Sequence, residues 1–216
     1  MVGRVTPAAA AEILAARDPV LAGLIEAAGP IRIGRRGTAS HFAALVEAIV
    51  YQQLAGAAAR AIHGRLVAAV DGDVEPEALL SLSDETLRAV GLSTNKVRSL
   101  RDLATKVVDG TVVLAPRRLS RQSDEDIVAS LSTVRGIGPW TAQMFLIFRL
   151  RRLDVWPVGD LGVRQGYGLA WKVPMPSARE LEPLGEPYRP YRTVVAWYCW
   201  RAVEIHAGAA DSALTR

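Results

Sequence analysis

Cysteine is nearly absent: Cys199 is the only one in 216 residues. That excludes a disulfide framework within the chain and an iron–sulfur cluster held by four thiolates. Histidine is almost as scarce. His41, His63 and His206 are scattered and lack the spacing of a zinc site. No apolar run reaches the about 18 uncharged residues that a membrane-spanning helix requires. The opening stretch Met1–Pro7 does not read as a secretion signal. These absences predict a cytoplasmic protein with no membrane partner. Lysine occurs only at Lys96, Lys106 and Lys172, so the basic side chains are almost all arginine, the better phosphate ligand. Sustained apolar–polar alternation is also missing, which argues against a substantial sheet.

What is present reads as helix. Half of the residues are hydrophobic, enough for one domain or two small lobes with real cores. The formal charge of +4 and pI of about 9.6 bias the chain mildly toward a polyanionic partner. Thr6-Pro7 caps a first helix to about Arg17, and Asp18-Pro19 starts a second that ends near Gly29-Pro30. The polar stretch Gly34–Ser40 reads as a hinge or short crossing. Phe42, Leu45, Ile49 and Leu54 mark an amphipathic helix, which continues over Ala57–Ala69 after a break near Gly56. Short helices are expected at Pro76–Ser81 and Ser83–Val90, and a longer one at Asn95–Val108. Pro183–Pro190 reads as a loop before the last long helix.

The most informative stretch runs from Leu131 to Asp160. Ser123-Asp124-Glu125-Asp126 starts a helix with acids in its first turn. Val134-Arg135-Gly136-Ile137-Gly138-Pro139-Trp140-Thr141-Ala142 follows. Gly136 and Gly138 allow positive φ, and Pro139 suits the first position of a new helix. Trp140, Met144, Ile147 and Phe148 continue at helical spacing. Backbone N–H groups between two glycines at a helix start form an anion site suited to a phosphate. Asp160 then follows Pro157-Val158-Gly159 and precedes an apolar helical run. It reads either as a plain N-cap or as a carboxylate that the helix dipole keeps ionised. Of 13 aromatic residues, only Phe42 and Tyr51 precede residue 139. The late cluster reads as core or as pocket, and Trp197 and Tyr198 fit both equally. Gln52 and Gln53 read as solvated helix-end residues or as groups that meet a ligand.

The hairpin, together with Asp154-Val155-Trp156-Pro157-Val158-Gly159-Asp160-Leu161-Gly162, resembles the helix–hairpin–helix–Gly/Pro–Asp superfamily of DNA glycosylases. Its 3-methyladenine DNA glycosylase II branch, the AlkA type, is the nearest. Ala48–Ile62, Gly91–Ala104 and Tyr188–Trp200 are similar to other segments of that branch and occur in its order. The resemblance implies an all-α fold of two helical lobes, with the hairpin at the cleft and no N-terminal β domain. Within one glycosylase domain over 1–216, one lobe would take about 1–39 with 155–216. The other would take about 40–154, with the helix–hairpin–helix at 124–150.

The resemblance also implies roles. Asp160 is the catalytic carboxylate. Trp140, Trp200, Met144 and Tyr51 line the base pocket, with Met144 standing where the branch has a second stacking aromatic. Gln53 is the intercalating wedge, and Gln52 buttresses its loop. Gly136, Ile137, Gly138 and Thr141 face the DNA backbone. The carbonyls of Ser132, Val134 and Ile137 would hold a structural sodium or potassium ion, and no other cofactor is implied. Strand-nicking relatives carry a lysine at the position of Trp140, and neither Lys96 nor Lys106 is expected to lie near the motif. The expected protein is a monomeric, monofunctional glycosylase that removes alkylated purines such as 3-methyladenine and 7-methylguanine from double-stranded DNA. The alternatives are the same fold acting on a deaminated or oxidised base, and a noncatalytic DNA-binding module.

Overall fold

A computed structural model of the chain describes residues 5–33 and 39–214, with side chains through residue 208. The stretch expected to form a hinge, Gly34–Ser40, lies largely outside these residues. The described residues contain helices and turns and no strand. No described helix is long and apolar enough to cross a membrane. Contacts divide the chain into two units, Met1–Arg35 with Leu150–Arg216, and Arg36–Arg149.

The first unit contains α1 (Pro7–Ala15), α2 (Pro19–Ala28), and later α11 (Leu161–Trp171), α12 (Ala178–Leu184) and α13 (Arg192–Leu214). Both early helices start on a side-chain cap followed by proline. Thr6 accepts from the Ala9 N–H, and Asp18 accepts from those of Val20 and Leu21. The other carboxylate oxygen of Asp18 accepts from the Tyr188 hydroxyl at 2.7 Å and the Trp171 indole N–H at 3.3 Å. One aspartate therefore caps α2 and ties it to the later segments. Leu14, Leu21, Val163, Leu181, Val194, Val195, Tyr198 and Cys199 form the core. Each fully buried leucine contributes about 1.5–3 kcal/mol. Burial also pushes the Cys199 thiol well above its usual range, so it is an inert core residue.

The second unit contains α3 (His41–Tyr51), α4 (Gly56–Ala69), α5 (Pro76–Ser81), α6 (Asp84–Ala89), α7 (Thr94–Val108), α8 (Pro116–Leu119), α9 (Asp124–Ser132) and α10 (Pro139–Met144). After α10 the backbone widens to a π-helix over Phe145–Leu150. Helix α7 is the hub: α3, α5 and α6 pack on it through Val97, Leu100, Leu103 and Ala104.

Three sequence expectations need correction. The first amphipathic helix of this unit ends at Tyr51 rather than near Gly56, because Gln53 takes φ 56 and Leu54 falls in the turn. Gly138 is not left-handed: its φ is −93, and only Gly136, at φ 80, needs the freedom of glycine. Pro183 lies inside α12 rather than in a loop. That helix starts on a reciprocal capping box between Ser177 and Glu180, a signal present in the sequence at the proper spacing.

Candidate active site

Asp160 is the N-cap of α11. Its Oδ1 accepts from the Val163 N–H at 2.8 Å and from the Trp200 indole N–H at 2.8 Å. The residue is 9 % exposed. Two donors on one oxygen at the head of an 11-residue helix fix the direction of the carboxylate. Gly162 makes the Trp200 contact feasible. A β-carbon there would lie 2.8 Å from Trp200 Cδ1 and 3.2 Å from Asp160 Oδ1. The Asp160-Leu161-Gly162 sequence therefore combines the charged group with the gap that admits its indole partner.

The strand-like approach to Asp160 is stitched to the start of α13. Arg192, which is buried, donates to the Asp154 carboxylate at 2.8 and 3.0 Å and to the Asp154 carbonyl at 2.9 Å. Thr193 Oγ1 donates to the Arg152 carbonyl at 2.8 Å and accepts from the Val155 N–H at 2.9 Å. Trp156 donates its indole N–H to the Leu181 carbonyl at 2.9 Å. Arg192 is thus an internal support for the segment carrying Asp160. Of the two ambiguous aromatics, Tyr198 is core, fully buried with its hydroxyl on the Gly29 carbonyl at 3.2 Å. Trp197 is half-buried, with the Arg201 guanidinium 5.8 Å from its ring.

In the second unit the hairpin between α9 and α10 forms a tight turn. The Ile137 N–H donates to the Val134 carbonyl at 3.0 Å, so Ile137 offers no free backbone donor, and its side chain is buried. Among the described residues, the N–H groups of Gly136 and Gly138 make no internal hydrogen bond. They precede the start of α10, where Thr141 is buried and Trp140 is 49 % exposed. Gln52 donates to the Gly136 carbonyl at 2.9 Å and contacts Thr141 Oγ1 at 3.4 Å. Its buttressing role is therefore direct. Gln53, next to it, is exposed and held in the left-handed region, which costs a non-glycine residue about 1 kcal/mol. Lys96 supports this turn by donating to the Val50 carbonyl at 2.7 Å, and burial pushes its ammonium below the usual lysine range.

The expectation that Lys106 lies away from the motif is wrong. Its ammonium meets the Asp102 carboxylate at 2.8 Å and the hairpin carbonyl of Thr133 at 2.5 Å. Asp102 in turn accepts from the Arg135 N–H at 2.7 Å. Burial alone would raise the Asp102 carboxyl, but the Lys106 ammonium and the Arg135 N–H outweigh it and hold the group below its usual range.

Tyr51, Thr141 and Met144 line one cavity of about 340 Å³ in this unit, with Glu47, Phe148 and Arg149. Trp140 is not among its lining residues. The described residues contain no cluster of acids, histidines and cysteines able to hold a metal. The carbonyls of Ser132, Val134 and Ile137 are neutral oxygens that run from the end of α9 into the hairpin, that of Val134 also accepting from the Ile137 N–H, and the buried Ser132 Oγ has no hydrogen-bond partner. This donor set fits a monovalent cation, which would add positive charge behind a bound phosphate.

The first unit thus carries a buried, doubly held carboxylate at a helix start, and the second a glycine hairpin with two N–H groups that make no internal hydrogen bond. Residues 46–189 match the HhH-GPD superfamily of base excision DNA repair proteins, and the chain belongs to that family. It is 34% identical over 164 residues to DNA-3-methyladenine glycosylase 1 of Schizosaccharomyces pombe, covering 74% of this chain and 72% of the relative. Among solved structures, a DNA-3-methyladenine glycosidase from Bacillus halodurans superposes with a TM-score of 0.83 at 34% identity, covering 92% of this chain and 91% of that one. The Schizosaccharomyces pombe glycosylase Mag1, in complex with abasic DNA, gives a TM-score of 0.77 at 32% identity over 89% and 95% of the two chains.

The indole N–H of Trp200 gives the site its first test. Trp200→Phe keeps an aromatic ring and removes the donor to Asp160. Losing a hydrogen bond to a charged group costs about 1.5–3 kcal/mol. Single-turnover base release should fall roughly ten- to hundredfold, with DNA affinity changed far less. An unchanged rate would show that the indole does not hold the carboxylate in its working position.

Proposed function

We propose that the protein is a DNA glycosylase that hydrolyses the N-glycosidic bond of alkylated purines in duplex DNA and leaves an abasic site. The observation that carries this reading is Asp160, buried and gripped by two N–H donors at the head of α11. In the reaction the C1′–N bond breaks and its electron pair leaves with the base. Positive charge develops on the sugar, and a fixed carboxylate stabilises it. Water adds to C1′ and its proton passes to the carboxylate or to solvent. A purine methylated at N3 or N7 is already cationic and departs neutral, so no general acid is needed on the leaving group.

The hairpin N–H groups of Gly136 and Gly138, with the start of α10, take the backbone phosphate. Gln53, exposed at its strained turn, fills the gap when the damaged base leaves the stack. Trp140, Trp200, Tyr51 and Met144 supply the aromatic and thioether faces that attract a cationic base. The enzyme acts as a monomer and releases the base by hydrolysis alone. Trp140 cannot form a Schiff base, and Lys106 has its ammonium committed to Asp102 and Thr133. A second reading, excision of a neutral deaminated or oxidised base, draws on Glu47 and Arg149. They place a carboxylate and a guanidinium in the cavity of Tyr51 and Met144.

The test is a panel of duplexes that each carry one lesion: 7-methylguanine, hypoxanthine or 8-oxoguanine. Cleavage of the methylated strand only after alkali, with the other two intact, is the expected result. Preferred release of a neutral base would favour the second reading. Nicking without alkali would contradict hydrolysis alone.

A further inference from the structure

Helix α7 carries a polar stripe along one side: Asn95, Ser99, Asp102 and Lys106, spaced four, three and four residues apart. All four side chains meet the hairpin or each other. Lys106 donates to the Thr133 carbonyl and to Asp102. Asp102 accepts from the Arg135 N–H at 2.7 Å. Asn95 Oδ1 lies 3.5 Å from the Arg135 guanidinium. Ser99 donates to the Asn95 carbonyl at 3.0 Å, and its Oγ would lie 2.6 Å from a β-carbon on Gly136. From the other side, Gln52 donates to the Gly136 carbonyl.

The consequence is a division of the hairpin's polar groups. The Thr133 carbonyl, the Arg135 N–H and the Gly136 carbonyl are all spent on side chains behind the loop. The donors left without an internal acceptor are those of Gly136 and Gly138. A glycine turn is flexible on its own, and ordering it at the moment of binding would cost conformational entropy. We propose that Asp102 and Lys106 form a latch that pre-sets the hairpin for phosphate, making them positioning residues for DNA affinity that need no DNA contact themselves. The pairing also resolves an electrostatic conflict, because a lone carboxylate beneath a phosphate site would repel its ligand and Lys106 cancels that charge.

The inference rests on the hairpin being the phosphate-gripping element. Its test uses the whole protein with a duplex containing a tetrahydrofuran abasic analogue, read as Kd across a salt series. Single-turnover base release at saturating enzyme is measured alongside. Asp102→Ala should weaken binding roughly tenfold, the size of one lost charge-assisted hydrogen bond. The salt slope should stay at its wild-type value because no phosphate contact is lost, and the saturated rate should not change. Asp102→Asn keeps an oxygen for the Arg135 N–H and should recover most of the affinity. Lys106→Met should weaken binding several-fold with the slope again unchanged.

Wild-type affinity in Asp102→Ala, or tighter binding in both Asp102 variants, would overturn the latch and leave the carboxylate as a mere repulsive charge. Equal weakening in Asp102→Asn and Asp102→Ala would also overturn the acceptor role. A salt slope lower by about one in Lys106→Met would make that lysine a direct phosphate contact instead. Wild type failing to bind the abasic duplex would be a different result, a failure of the glycosylase reading itself.

Discussion

Asp160→Asn should lower base release from methylated duplex DNA roughly a hundred- to a thousandfold, the usual cost of removing one aligned electrostatic stabiliser. The substitution is nearly isosteric. Its amide oxygen can still accept from the Val163 N–H and the Trp200 indole, so α11 keeps its cap and the fold should hold. What disappears is the carboxylate that the proposed mechanism sets against the developing sugar cation. Binding to an abasic duplex should be retained or slightly tightened, since a carboxylate near a polyanion is removed. Single-turnover kinetics and a binding titration on the same preparation separate the two effects. A rate within threefold of wild type would remove Asp160 from the chemistry and favour a module that only binds DNA.

The largest stability effect should come from Gly166→Ala. Helix α11 packs against α13, and Gly166 sits at the contact. A β-carbon there would overlap the Cys199 carbonyl and lie 2.7 Å from the Cys199 Cα. The obstacle is helical backbone, which has no rotamer by which to yield, so α11 and α13 must separate. Overpacking of this kind costs about 3 kcal/mol. For a protein of this size that lowers the melting temperature by roughly 6–12 °C. Separation of the helices would also pull Trp200, on α13, away from Asp160, on α11. Residual folded enzyme should therefore be slower than wild type. A melting temperature within a degree of wild type would show that the helices can shift without penalty.

Much of this was legible in the sequence because it is encoded locally. Ser123, Thr6 and Asp18 each announce a helix start by a side chain that reaches its own N2 or N3 amide, and each does so in the structure. The hairpin was readable from two glycines and a proline, and Asp160 from its place before an apolar run. The parts that escaped depend on partners distant in sequence. Gly162 and Gly166 look like weak points in a helix until Trp200 and the Cys199 backbone fill the spaces they leave. Asp102 and Lys106 look like an ordinary surface pair four residues apart, and only the fold brings Thr133 and Arg135 against them. By type, Arg192 suits either a buttress or a phosphate contact, and burial with Asp154 assigns it to internal support. Gly138 was misjudged because a G-x-G motif does not say which glycine takes the left-handed conformation.

As proposed, this chain severs the bond between a methylated purine and its sugar. The most direct measurement is chromatography of the bases set free when the wild-type protein is incubated with duplex DNA treated with a methylating agent. Free 3-methyladenine, 7-methylguanine or both should appear above the spontaneous rate. No release of either base by protein that still binds the DNA would contradict the proposal.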